Sequence, residues 1–169
     1  MRAHNLWQNK ETQGKVLILG IGNIFCKDDG IGSVLARNLV STFHGKEEID
    51  VVDGGTTGLG LLYLFEDYSR VIIIDAVDMQ QEAGELFFFS PDDLEQAHPA
   101  GIISSHQPGI LELLRLGKAI DKIPENVLIL GVQVKELSAE YGLSPELENK
   151  IPLLEKKIKE AIFSHLNNA

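Results

Sequence analysis

Asp29, Asp75 and His106 bring two carboxylates and one imidazole from three separate stretches of a 169-residue chain. Together they would form a mixed oxygen and nitrogen donor set, which suits zinc, nickel, cobalt or manganese and leaves positions open for further ligands. Their separations match no short metal motif such as His-Glu-x-x-His. Each residue also has a plainer use. Asp29 can cap the helix that follows it, and His106 can be a hydrogen-bonded histidine at a helix start. Asp75 is harder to account for in that way, because a carboxylate that ends a run of buried aliphatics costs desolvation unless it is paired or ligating. Asp53, just before Gly54 and Gly55, fits a general base or a group supporting the site, and equally an Asx turn. Cys26 has no histidine beside it and reads as a small apolar residue rather than a nucleophile. The other histidines, His4, His44, His98 and His165, lie in no comparable loop.

The elements that must position these groups follow from hydrophobic periodicity. Val16 to Ile21 is a continuous apolar run of the kind found in strands covered on both faces. Ile31 to Val40 repeats at helical spacing. Ile49 to Val52 is expected to be a short strand halted by Asp53-Gly54-Gly55, and Leu59 to Phe65 a helix capped by Thr56 or Thr57. Val71 to Ala76 and Val127 to Val134 are buried strands. Leu86 to Phe89 is a further strand, which follows its predecessor too closely for a right-handed crossover and is therefore expected to be antiparallel. Ser104 or Ser105 would open a helix through about Leu116, and Pro145 to Leu166 carries a long amphipathic pattern. Strands interleaved with helices in this way predict a three-layer α/β/α sandwich with a five-stranded mixed, mainly parallel sheet. Ligands of such sheets bind beyond the carboxyl ends of the strands, where the strand order reverses. Asp29, Asp53, Asp75 and His106 all fall at strand ends or in the loops that follow.

Several classes of function drop out. Gly20-Ile21-Gly22 follows a strand, but Phe25 stands where the dinucleotide fingerprint needs a third small residue, and the next helix starts too late to hold a phosphate. There is no Gly-x-Ser-x-Gly elbow and no P-loop. The net charge of −10 argues against nucleic acid. Apolar runs are strand-sized, so no membrane span is expected. One cysteine permits no internal disulfide and points to the cytoplasm. Residues 1–14 read as a flexible lead-in without a secretory pattern, and residues 15–169 as one domain. The acidity is uneven: residues 45–100 hold 13 acidic against two basic side chains. Half of the 16 glycines fall in two windows, Gly20 to Gly32 and Gly54 to Gly60, where the backbone must do something unusual.

Taken together, VLILGIGNIFCKDDGIG (16–32), VDGGTTGLGLL (52–62), IIIDAVD (72–78), Ser105-His106-Gln107 and LGVQV (130–134) resemble the maturation endopeptidases of nickel-iron hydrogenases. The motifs run in one order over about residues 15 to 160. The resemblance implies a phosphorylase/hydrolase-like sandwich and removal of a C-terminal extension from the hydrogenase large subunit once nickel is inserted. It implies Asp29, Asp75 and His106 as metal-binding and catalytic residues, with Asp53 as a further participant. Asp29 stands where the family often has the longer Glu. The nickel would be carried by the large-subunit precursor, the partner, and another divalent ion such as zinc could occupy the isolated chain, a monomer when free. Two other readings stay open: a metal-dependent hydrolase of small peptides, and a non-catalytic module that binds nickel or the large subunit.

Overall fold

The computed structural model describes residues 14–56, 58–93, 110–124 and 126–167. Five strands form one sheet: β1 (Val16–Ile21), β2 (Ile49–Gly55), β3 (Arg70–Val77), β4 (Leu86–Phe89) and β5 (Asn126–Gln133), in the order β2-β1-β3-β5-β4. All neighbours are parallel except β4 and β5, which run antiparallel, as the short spacing before β4 predicts. The strand edge is shared with β5 and not with β3, the strand that precedes β4 in the chain.

Alternation along the strands divides the core in two. Val16, Ile18, Ile72, Ile74, Leu130 and Val132 face one way, against helices α1 (Ile31–Phe43) and α4 (Pro145–Asn167). Leu17, Leu19, Val71, Ile73 and Ile129 face the other way, against α2 (Leu62–Phe65) and α3 (Ile110–Ala119). β1 and β3 are covered on both sides, and this is why their sequences are unbroken aliphatic runs instead of alternating ones.

Two expectations change. β2 does not stop at Val52 but continues through Asp53, Gly54 and Gly55, with a register shift in β1 between Gly20 and Ile21 that keeps the ladder paired. Glycine has weak strand propensity, but tertiary pairing overrides it here. The segment expected as one helix from Leu59 is instead a 3-10 turn, Gly58–Leu61, running into the four residues of α2, with no side-chain cap at Leu61. Thr57 and the stretch 94–109, with Ser104, Ser105, Gln107 and His106, lie outside the described residues. At α4 the start is well specified. Pro145 occupies the first helical position and the Ser144 hydroxyl accepts the Leu147 N–H at 3.3 Å. No described helix is long and apolar enough to cross a membrane.

Candidate active site

β1 neighbours β2 on one side and β3 on the other, so the order in which the chain adds strands to the sheet reverses between β1 and β3. That is the switch point at which an open α/β sheet leaves a crevice beyond its carboxyl ends. The β1–α1 loop and the end of β3 deliver Asp29 and Asp75 to this place.

Close backbone approach is what brings them there. Gly20 is level with Asp53 on one neighbour and Ile74 on the other. A Cβ at Gly20 would run into the Gly32 carbonyl and the Ala36 side chain, and a Cβ at Gly32 would run into the carbonyl oxygens of Ile21 and Ile74. The first turn of α1 therefore rests on the main chain of β1 and β3. The preceding 3-10 turn, Lys27–Gly30, packs over the end of β3. Asp29 sits in that turn, 2% exposed, with Oδ2 accepting the Asn23 N–H at 3.1 Å. Asn23 in turn shapes the loop: its Oδ1 accepts the Phe25 N–H and its Nδ2 donates to Cys26 Sγ at 3.2 Å. Cys26 is half-buried and outside both core clusters, so the small-apolar reading holds only in part: the thiol is a loop acceptor.

Asp75 is 1% exposed, and its Oδ1 accepts the Ala76 N–H at 2.8 Å. By strand alternation it shares the face of Val71 and Ile73, which α2 and α3 cover. The undescribed stretch holding His106 leads directly into α3. Two carboxylates, both inaccessible to bulk water and drawn from separate elements, are a hard oxygen set of the kind a divalent cation takes. Among the described residues no group of three His, Cys, Asp or Glu is arranged to hold an ion.

Asp53 faces the other way, towards α1. Its Oδ2 accepts the Arg37 Nε–H at 2.6 Å and its Oδ1 the Gly55 N–H at 3.0 Å, which is the Asx turn that the two glycines allow. Burial works to raise its pKa, but hydrogen bonds from Ser33, Arg37 and the Gly55 backbone, together with the Arg37 charge, hold it below the ordinary carboxylate value. The Ser33 hydroxyl also reaches the Gly22 carbonyl at 3.0 Å, so the ends of β1 and β2 and the first turns of α1 are joined through one small polar cluster.

Two further buried polar residues shape the edge. Asp28 is fully buried: its Oδ2 accepts from the backbone N–H groups of Lys135 and Glu136, at 2.8 and 3.0 Å, and from the Ser144 hydroxyl at 2.9 Å, while Oδ1 accepts the Ser144 N–H at 2.6 Å. Gln133, 2% exposed at the end of β5, accepts the Met79 N–H on Oε1 at 2.7 Å and donates from Nε2 to Asp78 Oδ1 and the Val134 carbonyl. It fixes the loop after β3. The signal for Gln133 was available as the lone polar side chain in VLILGVQV.

A doubly covered mixed sheet with a pair of buried aspartates at its switch point defines the class: a three-layer α/β sandwich with an acidic site at the carboxyl edge. The family model described as HycI, hydrogenase maturation protease, matches residues 34–161, and the chain belongs to that family. The matched span includes Asp53, Asp75 and His106 and begins after Asp29. The chain is 30% identical over 138 residues to the hydrogenase expression/formation protein HupD of Bradyrhizobium diazoefficiens, covering 81% of this chain and 72% of that one. It is 29% identical over 143 residues to the hydrogenase 2 maturation protease of Escherichia coli, covering 84% and 87%. Among solved structures, the NiFe hydrogenase maturation protease HybD of Thermococcus kodakarensis superposes with a TM-score of 0.70 at 27% identity, over 87% of this chain and 98% of that one. Other HupD-type relatives are longer, with the chain spanning 61% of the Rhizobium leguminosarum protein.

Proposed function

We propose that this protein is an endopeptidase that removes the C-terminal extension of a nickel-iron hydrogenase large subunit after nickel has been inserted. Family membership supports the reaction class. The observation that supports the site is the delivery of Asp29 and Asp75, both buried, to the switch point between β1 and β3. In this reading the nickel belongs to the substrate. Asp29 and Asp75 meet it with carboxylate oxygens and His106 with an imidazole nitrogen, so only a loaded precursor docks with its scissile bond against the edge. A divalent metal supplies Lewis-acid polarisation of the scissile carbonyl, and the reaction then calls on no serine or cysteine nucleophile. The same donors would take an ion such as zinc in the isolated chain. Asp53, engaged by Arg37, Ser33 and Gly55, contributes by fixing the strand ends. The enzyme acts in the cytoplasm as a monomer until it meets the precursor.

Incubation with nickel-loaded and nickel-free large-subunit precursor, followed by intact-mass measurement, tests this reading. The tail is expected to be lost from the loaded form alone. Cleavage of both forms would remove nickel recognition, and an unchanged mass in both would remove the protease in favour of a binding module. Turnover of short peptides without any precursor would favour a general metal-dependent peptidase. His106→Ala is expected to stop processing, and a wild-type rate would sink the site assignment.

A further inference from the structure

The two adjacent aspartates of the β1–α1 loop point into different neighbourhoods, and only Asp29 belongs to the acidic edge. We propose that Asp28 is a positioning residue for that edge: it anchors the turn carrying Asp29 to the loop that follows β5, and thereby sets where the Asp29 carboxylate lies. The proposal rests on the endopeptidase reading for its catalytic consequence, but not for its structural content.

Four hydrogen bonds converge on one carboxylate from residues more than a hundred positions away, Lys135, Glu136 and Ser144. Three of the four donors are backbone N–H groups, and the Ser144 N–H and hydroxyl donate in the buried interior. The attachment is reinforced around it. The Lys27 N–H donates to the Glu140 carbonyl at 2.8 Å, the Asp28 N–H to the Glu136 carbonyl at 3.2 Å, and the Gly142 N–H to the Ile24 carbonyl at 3.0 Å. Lys27 Nζ pairs with Glu140 Oε2 at 2.8 Å. Lys27 itself is held at φ +50, a left-handed conformation that a non-glycine residue adopts only where its surroundings impose it. Asp28 and Asp29 then follow each other in the 3-10 turn, where successive side chains lie about a third of a turn apart and so enter different neighbourhoods. On the far side Ser144 is also the cap of α4, so the anchor for Asp28 is the start of the longest helix and not a loose loop.

The test is Asp28→Asn, which keeps shape but replaces one acceptor by a donor facing an N–H group. Amide hydrogen exchange of the full chain reports the geometry without any activity assay. The Asn23 N–H, bonded to Asp29 Oδ2, is expected to exchange at least about ten-fold faster, together with Lys135, Glu136 and Ser144, while β1 and β3 amides keep their protection. With nickel-loaded precursor, kcat is expected to fall by about ten-fold to a hundred-fold and KM to rise, because Asp29 both meets the nickel that docks the precursor and sets where it lies against the scissile bond. Ser144→Ala, which removes one donor of the four, should give the same pattern at smaller amplitude, and it decides the matter if Asp28→Asn does not fold. Unchanged Asn23 exchange, or unchanged kcat, overturns the proposal. If the wild type leaves the loaded precursor intact, the endopeptidase reading fails, and the exchange result alone still decides whether Asp28 holds Asp29.

Discussion

The ends of β1 and β2 place similar residues side by side, aspartate among glycines, yet use them differently. After β1 the chain is tied to distant parts: α1 rests on the backbone of two strands through Gly20 and Gly32, and Asp28 reaches across to the loop after β5. After β2 the ties are mostly local. Asp53 closes an Asx turn with Gly55 and pairs with Arg37, whose side chain is 55% exposed. Gly55 is there for its φ of +51, with open space where a Cβ would go. An acidic residue beside glycine thus says that the backbone is unusual, but not whether the need is for close contact or for a left-handed turn.

Three tests of decreasing expected effect probe that contrast. The largest difference is expected between the glycines. Gly32→Ala should cost more than about 3 kcal/mol, since the new methyl meets two carbonyl oxygens that belong to the sheet, whereas Gly55→Ala should cost about 1 kcal/mol of left-handed strain. Denaturant unfolding measures both, and equal losses would erase the distinction. Next come the aspartates. Asp28→Ala strands the buried N–H and hydroxyl of Ser144 along with two part-buried N–H groups and should destabilise by about 2 to 4 kcal/mol, against about 1 kcal/mol or less for Asp53→Ala at its partly exposed pair with Arg37. A larger loss at Asp53 would reverse the ranking of the two loops. The smallest effect concerns pH. Because the folded pKa of Asp53 lies below its ordinary value, its contribution is present above pH 3.8 and is lost as the pH falls through the lower folded value. Arg37→Ala should therefore cost about 0.5 kcal/mol at pH 7 and less at pH 3. The same cost at both would show that Arg37 acts by packing, not by charge.

Much of the sheet was legible because burial on both faces writes itself into the chain. Val71 to Ala76 can be little else than a central strand, and the charge that ends it marks Asp75 as needing a reason. The antiparallel direction of β4 followed from chain length alone. What stayed hidden depended on partners without a signature. The donors that meet Asp28 are main-chain groups of Lys135, Glu136 and Ser144, and any residue type supplies a backbone N–H. The continuation of β2 through two glycines was likewise set by β1 alongside it, not by propensity. Of the acidic residues at the carboxyl edge, residue type and position marked Asp75 and put Asp29 forward, but gave no sign of the four hydrogen bonds that Asp28 collects.

The seating of α1 on the strands has a mechanical consequence. Elsewhere the layers touch through leucine and isoleucine side chains, which can change rotamer and take up slack when the protein warms or is compressed. Between Gly32 and the ends of β1 and β3 there is only main chain, and it has no such give. The turn carrying Asp29 therefore leads into a seat made of main chain, so the separation of the two buried carboxylates should vary less with temperature and pressure than the core around them.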